Sequence, residues 1–422
     1  MTQNLRVVVV GQGYVGLPLA MRAVAVGHDV VGLDVDESRV KRLAAGESYV
    51  EDVPAEQLAA ALAGGRYRPS AQLQDCQDFD VAVITVPTPL REGVPDLSYI
   101  EASATALARY LRPGATVVLE STTYPGTTEE LMASLLEAGS GLRAGADYHL
   151  GYSPERIDPG NQTWHFENTP KIVSGVDEAS LKAVRTFYDS LVSTTVPVSS
   201  PRVAELAKLL ENTFRHVNIA LVNELAMFAR ELGIDVWEAV DAASSKPYGF
   251  MRFTPGPGVG GHCLPIDPSY LSWRVKRSTG RNFRFVELAN DINDHMPEYV
   301  ADRLMRALNE RRMTINGSRI LLLGLAYKKN TGDARESPSR RVAELLLGLG
   351  AVVHAADPHV VEGHVDQRVA RVELTSAELA AADAVVLLTD HDSFDFDLVA
   401  AHARFVLDCR RRMAPLTNVE IL

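Results

Sequence analysis

The sequence predicts an α/β fold: two doubly wound domains, joined by a long central helix and a helical region. Three observations predict it. Short unbroken apolar runs alternate with Ala/Leu-rich helical stretches through the first half; no proline or glycine interrupts the chain between Pro201 and Gly233; and a second strand–helix alternation starts near Ser318. Strands covered by helices on both faces of a parallel sheet read as continuous apolar runs. The pattern divides the chain into 1–200, a Rossmann-like domain; 201–312, a central helical region; and 313–422, a second Rossmann-like domain.

LRVVVV (5–10) is the first strand. HDVVGLDVD (28–36), DVAVITVP (80–87), ATVVLEST (115–122), DYHLGYSP (147–154) and PKIVSGV (170–176) follow as buried strands, with amphipathic segments between them. From Pro201 the period changes. Leu206, Leu209, Leu210, Phe214, Val217 and Leu221 recur at threes and fours, the helical spacing. A continuous helix from 201 to 232 would be ~48 Å long, a length that usually bridges domains or forms a subunit interface. Helical segments follow at 235–245 and 284–311, with the loop GVGGHCLPIDPS (258–269) between them. The second domain opens with the strand RILLLGLAY (319–327). A helix at 337–350 ends at Gly350, and AVVHAADP, DAVVLLTD and RFVLDCRR give three more strands.

Composition narrows the function classes. The 422 residues are 46% hydrophobic and 23% charged, with a net charge of −12, which argues against a general nucleic-acid or membrane-surface binder. Cys76, Cys263 and Cys409 are too few and scattered for a disulfide framework, so a reducing cytoplasm fits. MTQNLRVVVVGQG lacks the pattern of a signal peptide, and no apolar run reaches the ~18 residues of a membrane span.

The first strand runs into Gly11-Gln12-Gly13-Tyr14-Val15-Gly16, and a helix follows. In that context G-x-G-x-x-G reads as a dinucleotide site. Gly11 makes the tight turn, Gly13 lets the backbone approach a pyrophosphate, Gly16 allows close packing, and the helix N-terminus favours negative charge. Asp34 ends the next strand, 21 residues after Gly13. Its carboxylate suits a ribose diol and repels a 2′-phosphate, so NAD is expected rather than NADP. Arg39 can cover the adenine or a phosphate, or be a solvated helix-face arginine.

The loop at 258–269 raises a second question. A small buried cysteine is the commonest fate of an intracellular thiol. Yet Gly258, Gly260 and Gly261 precede Cys263 and Asp267 follows it. A cysteine in a pliable polar loop of a nicotinamide enzyme suggests covalent catalysis: a thiolate adds to an aldehyde, oxidation leaves a thioester, and water cleaves it. His262 is adjacent, but a histidine next to a nucleophile commonly points elsewhere.

With these residues in view, the chain resembles the UDP-glucose/GDP-mannose dehydrogenase superfamily, the nucleotide-sugar 6-dehydrogenases. The markers are GQGYVG, LDVDESR, TVPTP, ESTTYPGTTEE, YSPERIDPGN, AELAKLLENTFRHVNIALVNE, GPGVGGHCLPIDP and GLAYKKNTGDARESPS, in family order along essentially the whole chain. The resemblance implies an NAD-binding domain, a central region and a UDP-binding domain. It implies oxidation of the C6 alcohol of a UDP-sugar to a carboxylate with two NAD, Cys263 being the nucleophile. Lys208 and Asn212, four apart on one helical face, are implied to stabilise the oxyanion; periodicity alone would favour a solvated stripe. Asp267 is implied to act near Lys208, Glu155 to assist thioester hydrolysis, and Thr122 to hold water and nicotinamide. Tyr14, Val15 and Thr88 join the implied cofactor contacts; Arg156 and Gly260 join the substrate contacts. Lys328 and Arg410 fit phosphate contacts or plain surface charge. Arg335 resembles the family arginine that reaches toward NAD from the far side of a cleft. A glutamate found before a glycine in some relatives is replaced by Pro159, which leaves its role there in doubt.

KPYGFMRFTPGPGVGGHCLPIDP and YSPERIDPGN look most like the branch acting on UDP-2-acetamido sugars, above all UDP-N-acetylglucosamine; UDP-glucose and UDP-N-acetylmannosamine are the alternatives. A homodimer or higher homo-oligomer is implied through the long helix. The rivals are a single-oxidation dehydrogenase of the 3-hydroxyacid type, which needs no Cys263, and a non-catalytic nucleotide-binding protein.

Overall fold

The computed structural model describes residues 4–50, 52–157, 161, 163–261, 264–361 and 366–422. The chain forms two compact units, Met1–Glu211 with Ser269–Gly280 and Asn212–Pro268 with Arg281–Leu422.

The first unit is built on an eight-stranded sheet. From edge to edge its strands are Thr195–Pro197, Lys171–Gly175, His149–Tyr152, Thr116–Leu119, Val81–Ile84, Arg6–Val10, Asp29–Leu33 and Tyr67–Ser70. Every pairing is parallel except that between His149–Tyr152 and Lys171–Gly175. The expected strand at 170–176 therefore forms but runs against its neighbour. A parallel return needs a crossover, usually a helix; none is described in 153–170. The strand Tyr67–Ser70 escapes the sequence reading because YRPS has no apolar run. Val7, Val9, Val30, Val81 and Val83 lie in one apolar core with Leu17, Leu19, Ala20 and Ala23 of the helix Gly16–Ala25.

The second unit carries a six-stranded, wholly parallel sheet in the order Ala370–Arg371, Val352–Ala356, Arg319–Leu323, Ala384–Leu387, Val406–Asp408 and Val419–Ile421. Ile320 and Leu322 face one apolar cluster while Leu321 and Leu323 face another, so the central strand is buried on both sides. The helix Pro338–Gly348 starts where Ser337 caps the Ser339 N–H, with proline in its first turn. Gly350 follows its end at φ +85°.

The long helix spans Pro201–Glu231 without a break, and helices follow at Val236–Ser244, Asp267–Thr279 and Arg284–Glu310. Its exposed apolar residues are Val203, Leu206, Leu210, Phe214, Leu221, Leu225 and Phe228, spaced by three, four or seven. They form one stripe along its length.

Gly324 closes the turn after the central strand of the second sheet, at φ +86°. A Cβ there would stand 2.4 Å from the Thr389 carbonyl oxygen. Gly324→Ala is expected to cost more than the ~1–2 kcal/mol of a left-handed residue, because backbone must also move. Calorimetry should show a lowered melting transition; an unchanged transition contradicts the packing described.

Candidate active site

The first turn of the first unit is shaped for close approach. Gly11 sits at φ +91°, and a Cβ on Gly16 would lie 1.8 Å from the Gly11 carbonyl oxygen. At Gly13 no described atom lies within 4 Å of where a Cβ would stand, so the backbone is open to a ligand there. Asp34 receives the Gln12 N–H (2.9 Å) on one carboxylate oxygen and the Asp36 N–H (2.9 Å) on the other. Each oxygen keeps a second lone pair. The Arg39 guanidinium stands 3.6 Å from Asp34 and 3.5 Å from Asp36, half-exposed and tied to both acids. Gln12 is fully buried and takes the Tyr67 hydroxyl at 2.7 Å, while its main-chain oxygen takes the Tyr49 hydroxyl at 2.6 Å. Burial pushes the Tyr49 phenol up to about 12, so it stays a donor. Tyr14 is exposed and Val15 half-buried beside the turn. These residues fit NAD: an open glycine cradle, a helix start and a carboxylate with spare acceptor capacity.

Other candidates in this unit sit at the C-terminal ends of its parallel strands, where ligands bind in open α/β sheets. Thr88 is half-buried and its carbonyl accepts the Tyr270 hydroxyl at 2.8 Å. Thr122 is half-buried, beside a buried Thr123 whose hydroxyl is 2.6 Å from that of Thr127. The segment Ser153–Ile157 is held at several points. Ser153 donates to the Ile172 carbonyl (2.7 Å), and Arg156 donates to the Pro170 carbonyl and to Glu211 (2.8 Å). The Glu155 carboxylate accepts the Ile157 N–H, and its main-chain carbonyl accepts Lys208 Nζ.

Lys208 is 8% exposed, Asn212 5% and Asp267 3%. A solvated polar stripe is thus not what the helix presents; its exposed stripe is the apolar one. In the second unit Asn212 Nδ2 donates to Asp267 Oδ2 at 2.6 Å. Gly258 and Gly261 take φ +128° and +89°. A Cβ on Gly260 would lie 2.7 Å from the Glu336 carbonyl and 2.8 Å from Tyr327 and Pro338, so this loop packs directly on the AYKK and ESPS segments. Cys263, His262 and Pro159 lie outside the described residues.

Arg335 makes a fork to the Asp333 carboxylate, 2.9 and 2.7 Å, and Lys328 is half-buried. Arg410 donates to the Leu388 carbonyl at 2.7 Å. It lines a cavity of about 410 Å³ with Trp237, Asp241, Arg252, Thr254, Asp390 and Arg411. Arg252 and Arg411 share Asp241, at 2.8 and 3.2 Å. A Cβ on Gly256 would stand 2.7 Å from the Arg410 guanidinium, so that glycine lets the guanidinium lie against the backbone. Three guanidiniums and two carboxylates line the cavity, and Arg411 also pairs with Asp235 at 3.5 Å.

The second sheet repeats the strand–turn topology, yet it does not repeat the ribose acid. Asp357 receives N–H groups from Leu325 (2.6 Å), Ala326 (3.1 Å), His359 (2.8 Å) and Val360 (3.0 Å), with His391 Nε2 at 3.0 Å. The Asn330 N–H points at His391 Nδ1 (2.9 Å), which assigns the ring proton to Nε2. Burial works to raise the Asp357 carboxyl, but His391 and the backbone donors outweigh it and hold it well below the usual carboxylate range. Its lone pairs are spent internally.

Sequence reasoning missed Gln12, the cavity residues Trp237, Asp241 and Arg252, and Glu205. Glu205 is fully buried and accepts from the N–H groups of Gly126 (2.6 Å) and Thr128 (2.9 Å) and from the Thr128 hydroxyl (2.7 Å). Burial pushes its carboxyl up to about 7. Its spacing, three residues before Lys208, was the available signal.

Residues 5–192 match the NAD binding domain of the UDP-glucose/GDP-mannose dehydrogenase family, 202–295 its central domain and 321–415 its UDP binding domain. A UDP-N-acetyl-D-mannosamine dehydrogenase of Pyrococcus horikoshii is 37% identical over 391 residues, 92% of this chain and 90% of that protein. A UDP-N-acetyl-D-glucosamine 6-dehydrogenase of Pseudomonas aeruginosa is 36% identical over 394 residues, 93% of this chain and 92% of that protein. The solved structure of a UDP-D-ManNAc dehydrogenase from Pyrococcus horikoshii aligns with a TM-score of 0.90 at 34% identity, covering 99% of this chain and 98% of that one. The chain belongs to the UDP-glucose/GDP-mannose dehydrogenase family, and the turn built on Gly11, Gly13 and Gly16 lies in its NAD-binding domain.

Proposed function

We propose that this enzyme oxidises the C6 alcohol of a UDP-2-acetamido sugar, UDP-N-acetylglucosamine first, to the uronic acid in two NAD-dependent oxidations through Cys263. The observation that carries the reading is the burial of Lys208 and Asn212 on the long helix and of Asp267 at the start of another, with the Asn212 amide donating to Asp267 at 2.6 Å. NAD, when bound, supplies the hydride acceptor for both oxidations. Cys263 supplies the nucleophile: its thiolate adds to the aldehyde carbon to give a thiohemiacetal, and the later thioester keeps the sugar on the protein. Lys208 and Asn212 donate to the oxyanion. Glu155 takes the proton of the water that cleaves the thioester, with Thr122 ordering that water and Asp267 fixing the Asn212 amide. Arg410 and Lys328 take the diphosphate, joined by Arg252 of the cavity; Arg156 and Gly260 contribute to the sugar end. Tyr14, Val15, Thr88, Arg39 and Arg335 complete the NAD contacts. A free catalytic thiol suits a reducing cytoplasm.

Relatives named for UDP-N-acetyl-D-mannosamine and UDP-N-acetyl-D-glucosamine support an acetamido sugar and make UDP-N-acetylmannosamine the second reading. A panel of UDP-N-acetylglucosamine, UDP-N-acetylmannosamine, UDP-glucose and UDP-galactose, scored by product mass, tests it. Turnover of UDP-glucose alone would contradict the acetamido assignment.

The apolar stripe on the helix Pro201–Glu231 is long enough to bury a second copy, and a homodimer is the assembly it supports. Leu221→Glu is expected to shift the particle to monomer in analytical ultracentrifugation; an unchanged sedimentation coefficient removes this face from the interface.

Asp34→Asn keeps an acceptor for the Gln12 N–H but loses the charge. It is expected to weaken NAD by about tenfold, ~1.4 kcal/mol, and to narrow the preference over NADP, read by titration calorimetry. A wild-type preference for NADP would contradict the role of Asp34.

Cys263→Ser can still add to the aldehyde and end as an oxygen ester, which water cleaves slowly because an alkoxide leaves poorly. Intact-protein mass should then show a trapped sugar-nucleotide adduct. Cys263→Ala should form none and release almost no uronate; near-normal uronate from the alanine variant would make Cys263 a structural residue.

A further inference from the structure

A buried cluster of charge lies beneath the Ser153–Ile157 segment. Lys171, the first residue of its strand, is 4% exposed. Its ammonium stands 3.0 Å from Glu120 Oε2 and 3.9 Å from Glu155 Oε2. The rings of Phe166 and Tyr188 lie 5.5 and 5.3 Å away. Glu120 directly follows the strand Thr116–Leu119 and is fully buried; its other oxygen accepts the Tyr188 hydroxyl. Glu155 Oε2 is buried without a hydrogen-bond donor among the described residues, so the Lys171 ammonium is the group that balances it.

One carboxylate is enough to neutralise one buried lysine, and Glu120 does so at contact distance. The second carboxylate needs another reason. Glu155 sits in a segment whose main-chain carbonyl at the same residue receives Lys208 Nζ. The side chain is thus held from inside the unit while the carbonyl holds the lysine of the long helix.

We propose that Lys171, fixed by Glu120, is a positioning residue for Glu155, setting both its carboxylate and the main-chain carbonyl on which Lys208 rests. The inference rests on the reading of Glu155 as the base of thioester hydrolysis. In that step a water oxygen bonds the thioester carbon and its proton passes to Glu155. The C–S bond breaks with its electron pair on the Cys263 thiolate. The ammonium lies within 4 Å of a carboxylate oxygen of each acid, 3.0 Å from Glu120 and 3.9 Å from Glu155, so one cation faces both. Without it the acids face each other and Glu155 turns away.

The test uses the full chain with NAD and the UDP-sugar it turns over. Lys171→Met alone leaves buried carboxylates unbalanced and can fail to fold. Lys171→Met combined with Glu120→Gln removes both charges and keeps an acceptor for Tyr188. The double variant is expected to fold, with a melting transition lowered by the Glu155 carboxylate that it leaves without its cation. Its kcat should fall about 10- to 100-fold and the KM values should fall with it, because slower hydrolysis lets the adduct accumulate, leaving kcat/KM within about twofold. Intact-protein mass should show the covalent adduct on most molecules, and Lys171→Arg should restore turnover. A double variant that clears the adduct at the wild-type rate overturns the proposal. Loss of turnover without adduct overturns it too, as does a double variant that does not fold, which marks the pair as structural. Glu155→Gln is the separate control: normal hydrolysis by that variant defeats the reading of Glu155 itself, whatever the Lys171 variants do.

Discussion

The first unit is arranged around one buried ammonium. An ion as enclosed as that of Lys171 must be matched, because breaking a buried pair costs about 3–5 kcal/mol. Matching it fixes Glu120 at the end of one strand, Tyr188 on the helix behind, and Glu155 on the segment above. The antiparallel return of Lys171–Gly175 belongs to the same arrangement, since it starts the strand with the lysine beside the end of His149–Tyr152. From Glu155 the constraint passes through a main-chain carbonyl to Lys208. A polar cluster in the core thereby reaches the ammonium of the long helix.

The two sheets share a topology and use its key acid differently. In the first, Asp34 holds the turn with one N–H on each oxygen and keeps capacity for a ligand. In the second, Asp357 is saturated by four backbone donors and His391, and Gly324 is pressed against Thr389. The second turn is closed by its own protein, so it is not a second dinucleotide site of the same kind. What the second unit offers instead is a guanidinium-rich cavity around Arg410. Fold resemblance between the units therefore does not carry function across; the donors around each acid do.

Much of this was readable from residue order. Unbroken apolar runs located the central strands because a doubly covered sheet leaves no polar face. The edges were not: YRPS and Ala370–Arg371 carry too few apolar residues to show a period. The glycine fingerprint was legible because steric room at Gly11 and Gly16 is a local property. Burial at Lys208, Asn212 and Asp267 was not, because a helical period with charged residues on it looks the same whether that face meets water or protein. Lys171 and Glu120 were invisible for a related reason. Their meaning lies in a meeting across the sheet of residues 51 apart in sequence, and each taken singly reads as a strand-end charge.

In the proposed reaction one thiol-bearing site carries the alcohol through to the acid. The direct measurement is the stoichiometry of NADH to uronate, with an aldehyde trap present. Two NADH per uronate and no trapped aldehyde are expected, since in that reaction the sugar stays bound between oxidations. One NADH per product, with aldehyde captured in solution, would contradict it.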